Sequence, residues 1–180
     1  MFSVSKTFTS VAIGIARAEG LLDVDDPVAD HASDPAQDFL STPLVAEPGS
    51  TYAYRGTNSY VLRRIIHAVS GLGLRDYLIP RLFEPLSIRN PQWHRCPLGF
   101  PLGAVGLFLR TEEIAPLGEA LLNDGVFTGR QLIPADYVAL MTAETTKTGR
   151  LEPDNRIYGL HCWICSRDGA WRMEIWTRVG

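Results

Sequence analysis

Lysine is nearly absent from this sequence, since fifteen arginines accompany only two lysines, Lys6 and Lys147. A motif that contains lysine is therefore less easily produced by chance here than in an average chain. No apolar run approaches the roughly 20 residues of a membrane span, and the net charge of −3 provides no basic field for nucleic acid. Three cysteines, an odd number, argue against a complete disulfide framework.

The rest of the composition is that of a globular protein. The chain has 180 residues, of which 46% are hydrophobic and 21% charged, and this length predicts a single domain. No charged n-region and apolar h-region is visible at the start, so we expect no signal peptide. The compartment stays open: cytoplasmic or, if the sequence is shortened at its N-terminus, exported. The oligomeric state is equally open.

The first chemically suggestive pattern is Ser3-Val4-Ser5-Lys6. A helix places residues three positions apart on one face, so the Lys6 amine can approach the Ser3 hydroxyl. A serine hydroxyl is a weak nucleophile until a neighbouring group takes its proton, and a desolvated lysine is one such group. A four-residue pattern of this kind carries little weight alone, because an exposed polar turn would look the same.

Apolar periodicity predicts several helices along the chain. The expected helices and helical stretches cover residues 3–19, 27 onward, 35–40, 57–70, 74–83 with a kink at Pro80, 111–123 and 134–142. Extended structure is expected at 51–54, in a hairpin at 127–132, and in two strands, 158–162 and 171–175, joined by a turn at 167–169.

Several stretches, taken together, are far more specific than the Ser3–Lys6 spacing. They are Phe2 to Ser10, the acidic turn Leu21-Leu22-Asp23-Val24-Asp25-Asp26-Pro27, Glu47-Pro48-Gly49 leading to Tyr54, Leu82 to Leu86, Gly103 to Leu107, Arg110 to Ala115, and Gly129 to Pro134. Their content and order resemble the class C β-lactamase and penicillin-binding-protein-like serine hydrolase family across most of the chain.

That resemblance implies an α+β fold of the β-lactamase/transpeptidase type, present mainly as its helical part with an incomplete antiparallel sheet, as one partial domain over residues 1–180. It implies a serine hydrolase that cleaves an amide, β-lactam or ester through an acyl-enzyme. Ser3 would be the nucleophile, while Lys6 and Tyr54 would transfer its proton. The expected partner is a small-molecule or peptide substrate, and neither cofactor nor metal is expected.

The sequence also departs from the family pattern. Gly56 stands where the family has an asparagine, and a His-Leu-Leu segment of the family is missing near residues 30–34. Lys147-Thr148-Gly149 spells the family's third motif, but its surroundings predict a surface loop. Strands expected before Ser3 and after the third motif are absent, so we expect a fragment or shortened relative. A non-catalytic truncated homologue is the alternative.

Two other features are weaker candidates. Cys162 and Cys165 have the spacing of a thiol redox pair, but they lie in a strand-like stretch rather than at a helix start. The four histidines have no metal-like spacing, so we expect them to be structural or to lie on the surface.

Overall fold

The computed structural model describes residues 1, 3–27, 41, 43, 46–47, 49–143, 146–149, 157–167 and 170–174. Its helices are α1 (Val4–Ala18), α2 (Gly56–Ser70), α3 (Leu74–Leu78), which continues as a π-helical turn (Ile79–Phe83), α4 (Thr111–Leu122) and α5 (Ala135–Thr142). Its strands are β1 (Gln92–Trp93), β2 (Leu107–Phe108), β3 (Val126–Phe127), β4 (Arg130–Gln131), β5 (Thr146–Lys147), β6 (Ile157–Tyr158), β7 (Trp163–Arg167) and β8 (Ala170–Glu174).

Helix α1 is the centre of the structure. Every residue from Val4 to Ala16 is buried, and the helix contacts α2, α3 and α5. Gly20, with a φ of 70°, follows the C-terminus in the left-handed conformation, as predicted for a terminating glycine. Gly14 permits close packing, because a Cβ there would lie 2.2 Å from the ring of Tyr137 on α5.

The remaining described helices, with the π-helical turn counted as part of α3, begin and end within one or two residues of their predicted bounds. Pro80 falls in the π-helical turn after α3, where the Glu84 N–H donates to the Ile79 carbonyl at 2.9 Å, five residues back. This confirms the predicted irregularity at the proline, which cannot donate a backbone hydrogen bond. The apolar faces of these helices enclose a core that includes Phe8, Leu82 and Phe83.

The sheet is antiparallel, with the order β5-β6-β7-β8. Strands β7 and β8 pair along their whole length, with Arg167 opposite Ala170 on the two sides of the predicted turn. The prediction of one strand over 158–162 is wrong, because residues 159–162 form a turn between β6 and β7. The prediction that Lys147 lies in a loop is also wrong: Thr146–Lys147 is an edge strand, with Thr146 opposite Tyr158.

The acidic turn is described as far as Pro27. The Asp26 carboxylate accepts the Asp23 N–H at 2.6 Å and closes a turn. The helix predicted from residue 27 onward lies, beyond Pro27, outside the described residues, as does the short helix predicted over 35–40.

Candidate active site

The first turn of α1 carries Ser3 and Lys6. Ser3 is the N-cap residue, with helical dihedrals and no side-chain capping hydrogen bond, and its carbonyl accepts the Lys6 N–H at 2.9 Å. The Ser3 side chain is partly exposed, whereas that of Lys6 is 4% exposed. The free N–H groups and the positive end of the helix dipole lie at this turn, which favours negative charge beside Ser3.

The Lys6 amine is held without a carboxylate. Nζ donates to the Ala104 carbonyl at 3.1 Å and lies 5.0 Å from the centroid of the Tyr54 ring. Among the described residues, no side-chain hydrogen bond links Ser3, Lys6 and Tyr54 to one another. The structure therefore brings Lys6 against the face of Tyr54, with Ser3 one turn away along the same helix.

Tyr54 lies in the irregular segment just before α2 and is packed among aromatic rings. It stacks on Trp163 at 5.5 Å between centroids, with an interplanar angle of 25°, and meets Tyr158 edge-on at 5.6 Å. Burial, together with the charges of Tyr54 and Tyr52 and a hydrogen bond to Tyr54, raises the pKa of Tyr158 far above its usual range. Tyr158 therefore remains a neutral phenol beside Tyr54.

His161 is a site residue that sequence reasoning missed. It occupies the turn between β6 and β7 with a φ of 62°, and its Nδ1 lies 3.4 Å from the Tyr158 hydroxyl. Burial, and secondly the charge of Lys6, lowers the pKa of His161 to about 4, so the ring is neutral at pH 7. No spacing rule marked this histidine, because its place beside Lys6 depends on a turn that was predicted as a strand.

The loop before β2, residues 103–107, fixes the start of α1. Lys6 reaches Ala104 as described, the Leu107 N–H donates to Ser5 Oγ at 3.2 Å, and Thr9 Oγ1 donates to the Gly103 carbonyl at 2.9 Å. Each of these three contacts joins a side chain of α1 to a backbone group of the 103–107 segment. The first two turns of α1 are therefore tied to this segment.

A cavity of about 360 Å³ opens beside Tyr54. Its lining includes Arg55, Asn58 and Thr146, together with Tyr158 and His161; Ser3 and Lys6 do not line it. The edge strand β5 thus reaches the cavity through Thr146, while Lys147 is exposed.

Gly56 is the first residue of α2, two positions after Tyr54. A Cβ at this position would lie 3.6 Å from the Ala104 Cβ, an ordinary van der Waals contact. The glycine is therefore not required by crowding around its Cα, and a Cβ fits at the point where the family resemblance predicts an amide.

The geometry of Cys162 opposes the redox alternative. Its thiol is free and buried, and Sγ donates to the Met141 carbonyl at 2.9 Å. Burial raises the pKa of Cys162 to about 12, only partly offset by a hydrogen bond with the Gly159 backbone. A thiol that stays protonated is a poor redox nucleophile. The described residues also contain no cluster able to hold a metal ion and no helix long and apolar enough to cross a bilayer.

Comparison with known families gives one clear result. The family model described as Beta-lactamase matches the chain in two segments, residues 1–39 and 32–143. Together these segments cover more than half of the chain. They meet near the position where a segment of the resembling family is missing from the sequence.

Several known proteins are similar to this chain at low sequence identity. An uncharacterized protein of Alkalihalophilus pseudofirmus is 20% identical over 186 residues, covering 78% of this chain and 53% of that protein. The chain thus spans about half the length of this curated relative. The penicillin binding protein from Bacillus halodurans matches with a TM-score of 0.73 and 19% identity, over 95% of this chain and 70% of that one.

A D-stereospecific amidohydrolase from Streptomyces sp. matches with a TM-score of 0.66 and 19% identity, over 93% of this chain and 71% of that one. At such identities the structural matches show the fold alone. They confirm the predicted α+β fold of the β-lactamase/transpeptidase type.

Proposed function

The chain belongs to the beta-lactamase family, and we propose that it is a serine hydrolase that acts through an acyl-enzyme formed on Ser3. Its substrate would be an amide, a β-lactam or an ester. The finer assignment of Ser3 as nucleophile, with Lys6 and Tyr54 as its proton-transfer partners, is part of this proposal.

The observation that carries the proposal is the position of the Lys6 amine. It is buried, bonded to the Ala104 carbonyl at 3.1 Å, and 5.0 Å from the centroid of the Tyr54 ring. A structural lysine would ordinarily be exposed or paired with a carboxylate, and no ion pair of Lys6 exists among the described residues. An amine placed between a serine turn and a tyrosine is suited to proton transfer.

The proposed reaction has two halves. In acylation, the Ser3 proton passes to the Tyr54–Lys6 pair as Oγ attacks the substrate carbonyl, and the leaving amine or alkoxide takes that proton as its bond to carbon breaks. In deacylation, a water molecule gives up a proton to the Tyr54–Lys6 pair and bonds to the acyl carbon; the bond from that carbon to Ser3 Oγ breaks, the carboxylic acid leaves, and Oγ takes the proton back. The N–H groups at the start of α1 would stabilise the negative oxygen that develops in each half.

Two observations support the substrate class: the names of solved proteins with this fold, and the size of the cavity beside Tyr54. The solved structures of this fold include proteins described as a penicillin binding protein and as a D-stereospecific amidohydrolase. The cavity beside Tyr54 is of the size that holds a small molecule or the end of a peptide. Its rim carries the exposed Arg55, which would attract an acidic group on the substrate.

Covalent labelling tests the proposal directly. The wild-type chain is treated with a fluorescent penicillin and with a fluorophosphonate, and the adduct is mapped by peptide mass spectrometry. We expect an adduct on Ser3 and none in Ser3→Ala. Ser70→Ala is the matched control, because the Ser70 hydroxyl donates to the Ile66 carbonyl near the end of α2, outside the first turn of α1; it should keep the label once thermal melting shows that it is folded.

The alternative, a non-catalytic homologue, predicts a different result. Gly56 is the observation that favours it, since a glycine offers no side-chain amide to a substrate. If neither probe labels the wild type, the hydrolase proposal is wrong. A gain of labelling in Gly56→Asn, whose Cβ would make an ordinary contact with Ala104, would identify the missing amide as the reason.

A further inference from the structure

A second group of reactive side chains lies on α2 and the loop between β1 and β2. Cys96 is partly exposed in this loop, with exposed residues on both sides. Its N–H donates to the Phe100 carbonyl at 2.8 Å, and its carbonyl accepts the Gly99 N–H at 2.8 Å. The thiol is thus presented on a tight, well-bonded turn, and none of the proposed catalytic residues belongs to it.

The partner of this thiol is a buried arginine. Arg63 on α2 is 1% exposed, and its Nη2 donates to Cys96 Sγ at 3.5 Å. The guanidinium carbon also lies 3.9 Å from the centroid of the Tyr60 ring. Nε and Nη1 of Arg63 are buried and have no hydrogen-bond partner in the described part of the chain.

A buried guanidinium with two unused donors is costly unless an anion is available nearby. The sulfur of Cys96 is the side-chain acceptor that Arg63 contacts, and a thiolate there would supply the missing negative charge. Burial alone would raise the pKa of Cys96. Hydrogen bonds with the Phe100 and Leu98 backbones, together with the hydrogen bond and charge of Arg63, lower it. The net effect is a pKa below that of an ordinary thiol.

We propose that Cys96 and Arg63 form a thiol-modification site at which Cys96 is oxidised by hydroperoxides. The Cys96 thiolate attacks one oxygen of the peroxide, so that an S–O bond forms as the O–O bond breaks. Sulfur loses two electrons and becomes a sulfenic acid, while the other oxygen leaves as hydroxide or alkoxide and takes a proton from water. The added oxygen gives the Arg63 donors an acceptor.

The chain contains an internal comparison for this reaction. Cys162 is 4% exposed, donates its S–H to Met141, and has its pKa raised to about 12 by burial. The thiolate is the reactive form of cysteine and must be reached by the oxidant. Cys96 therefore reacts first, and Cys162 reacts only after the protein unfolds.

The test uses the purified full chain and limiting hydrogen peroxide, with dimedone to trap sulfenic acid and peptide mapping to locate it. We expect the trap on Cys96 before Cys162. The pH dependence of alkylation by iodoacetamide at Cys96 should have its midpoint below the about 8.5 of an ordinary thiol. In Arg63→Leu the midpoint should rise. The rate at neutral pH should fall by about threefold for each unit of that rise, because the tenfold smaller thiolate fraction is partly offset by the greater nucleophilicity of a more basic thiolate.

Arg64→Leu is the matched control, because Arg64 is also buried and its guanidinium carbon lies 4.2 Å from the Phe100 ring centroid, whereas the hydrogen bond to Cys96 Sγ comes from Arg63. Its midpoint should stay at the wild-type value. Equal shifts in the two variants, or first reaction at Cys162 or Cys165, would overturn the proposal. If Arg63→Leu does not fold, the wild-type protein still tests the proposal: an alkylation midpoint of Cys96 at or above about 8.5 would overturn it.

Discussion

Helices α1 and α2 both bury polar side chains, but they do so in different ways. On α1, Lys6 and Thr9 donate to the backbone carbonyls of Ala104 and Gly103 at 3.1 and 2.9 Å. On α2, Arg63 is buried with two donors unpartnered within the described residues. A satisfied network orders its members in one arrangement, whereas an incomplete one retains attraction for an anion.

The two arrangements have different consequences: the contacts of α1 position a turn of the helix, whereas the incomplete contacts of Arg63 affect the reactivity of a neighbouring group. The groups of α1 are held so that one turn, with Ser3 at its start, has a fixed geometry. Arg63 on α2 instead acts electrostatically on one neighbouring thiol, that of Cys96. Changes on α1 should therefore act through precision or stability, and changes at Arg63 through electrostatics.

Loss of the Lys6 amine should have the largest effect. Lys6→Met keeps the length of the buried stem but removes the proton-transfer group, so the rate of labelling at Ser3 should fall by about 10²- to 10⁴-fold. Lys147→Met is the matched control, since Lys147 is exposed and its replacement should leave the rate unchanged. Stopped-flow measurement of probe attachment gives both rates; equal rates in wild type and Lys6→Met would refute the role of Lys6.

Crowding α1 against α5 should be next in magnitude. In Gly14→Ala the new Cβ would lie 2.2 Å from the Tyr137 ring, and relieving this clash should cost about 1–3 kcal/mol of unfolding free energy. Gly118→Ala on α4 is the control, because no atom lies within 4 Å of its Cβ, and it should gain about 0.5–1 kcal/mol. Urea titration measures both, and a neutral Gly14→Ala would contradict the packing described.

Removing one side-chain donor from α1 should leave a buried polar group there without a partner, as is already the case for Arg63 on α2. Thr9→Val is close in shape but leaves the Gly103 carbonyl without the bond from Thr9 Oγ1, at a cost of about 1–3 kcal/mol. Arg63→Leu removes two donors that lack partners within the described residues, together with the Nη2 contact to Cys96 Sγ. Its cost in urea titration should be smaller, because replacing incompletely paired buried charge by an apolar group is often close to neutral. The reverse order of the two costs would invalidate the comparison.

The smallest effect concerns pH. The pKa of His161 is lowered to about 4 in the folded chain, against about 6.5 when unfolded. The unfolded state then binds more protons between these values, so His161 contributes stability that is present above pH 6.5 and lost as pH falls toward 4. His161→Gln should flatten the fall in melting temperature over this window; an unchanged slope would show that His161 is not the group responsible.

Much of the helical architecture could be predicted, because periodicity records which face of a helix is buried. Gly20, Pro80 and the turn at 167–169 act through local backbone preferences, which a sequence displays directly. The family and the fold were also predictable from ordered motifs. Ser3, Lys6 and Tyr54 stay a prediction, since their roles depend on turnover rather than on placement.

What could not be predicted depends on packing between distant segments. His161 lies beside Lys6 only because residues 159–162 turn instead of extending, and Lys147 joins an edge strand only because Ile157–Tyr158 pairs with it. The contact between Arg63 and Cys96 joins residues 33 positions apart. No local pattern marks such contacts.

The turn that carries His161 has a further consequence for motion. The Met141 carbonyl near the end of α5 accepts both the Leu160 N–H at 3.1 Å and the Cys162 S–H at 2.9 Å, and a Cβ at Gly159 would lie 2.1 Å from that carbonyl oxygen. The turn therefore cannot open without disturbing the end of α5. Amide hydrogen exchange at Leu160 should report the separation of this turn from the end of α5. We expect the Leu160 amide to exchange at the same rate as the amides in the last turn of α5.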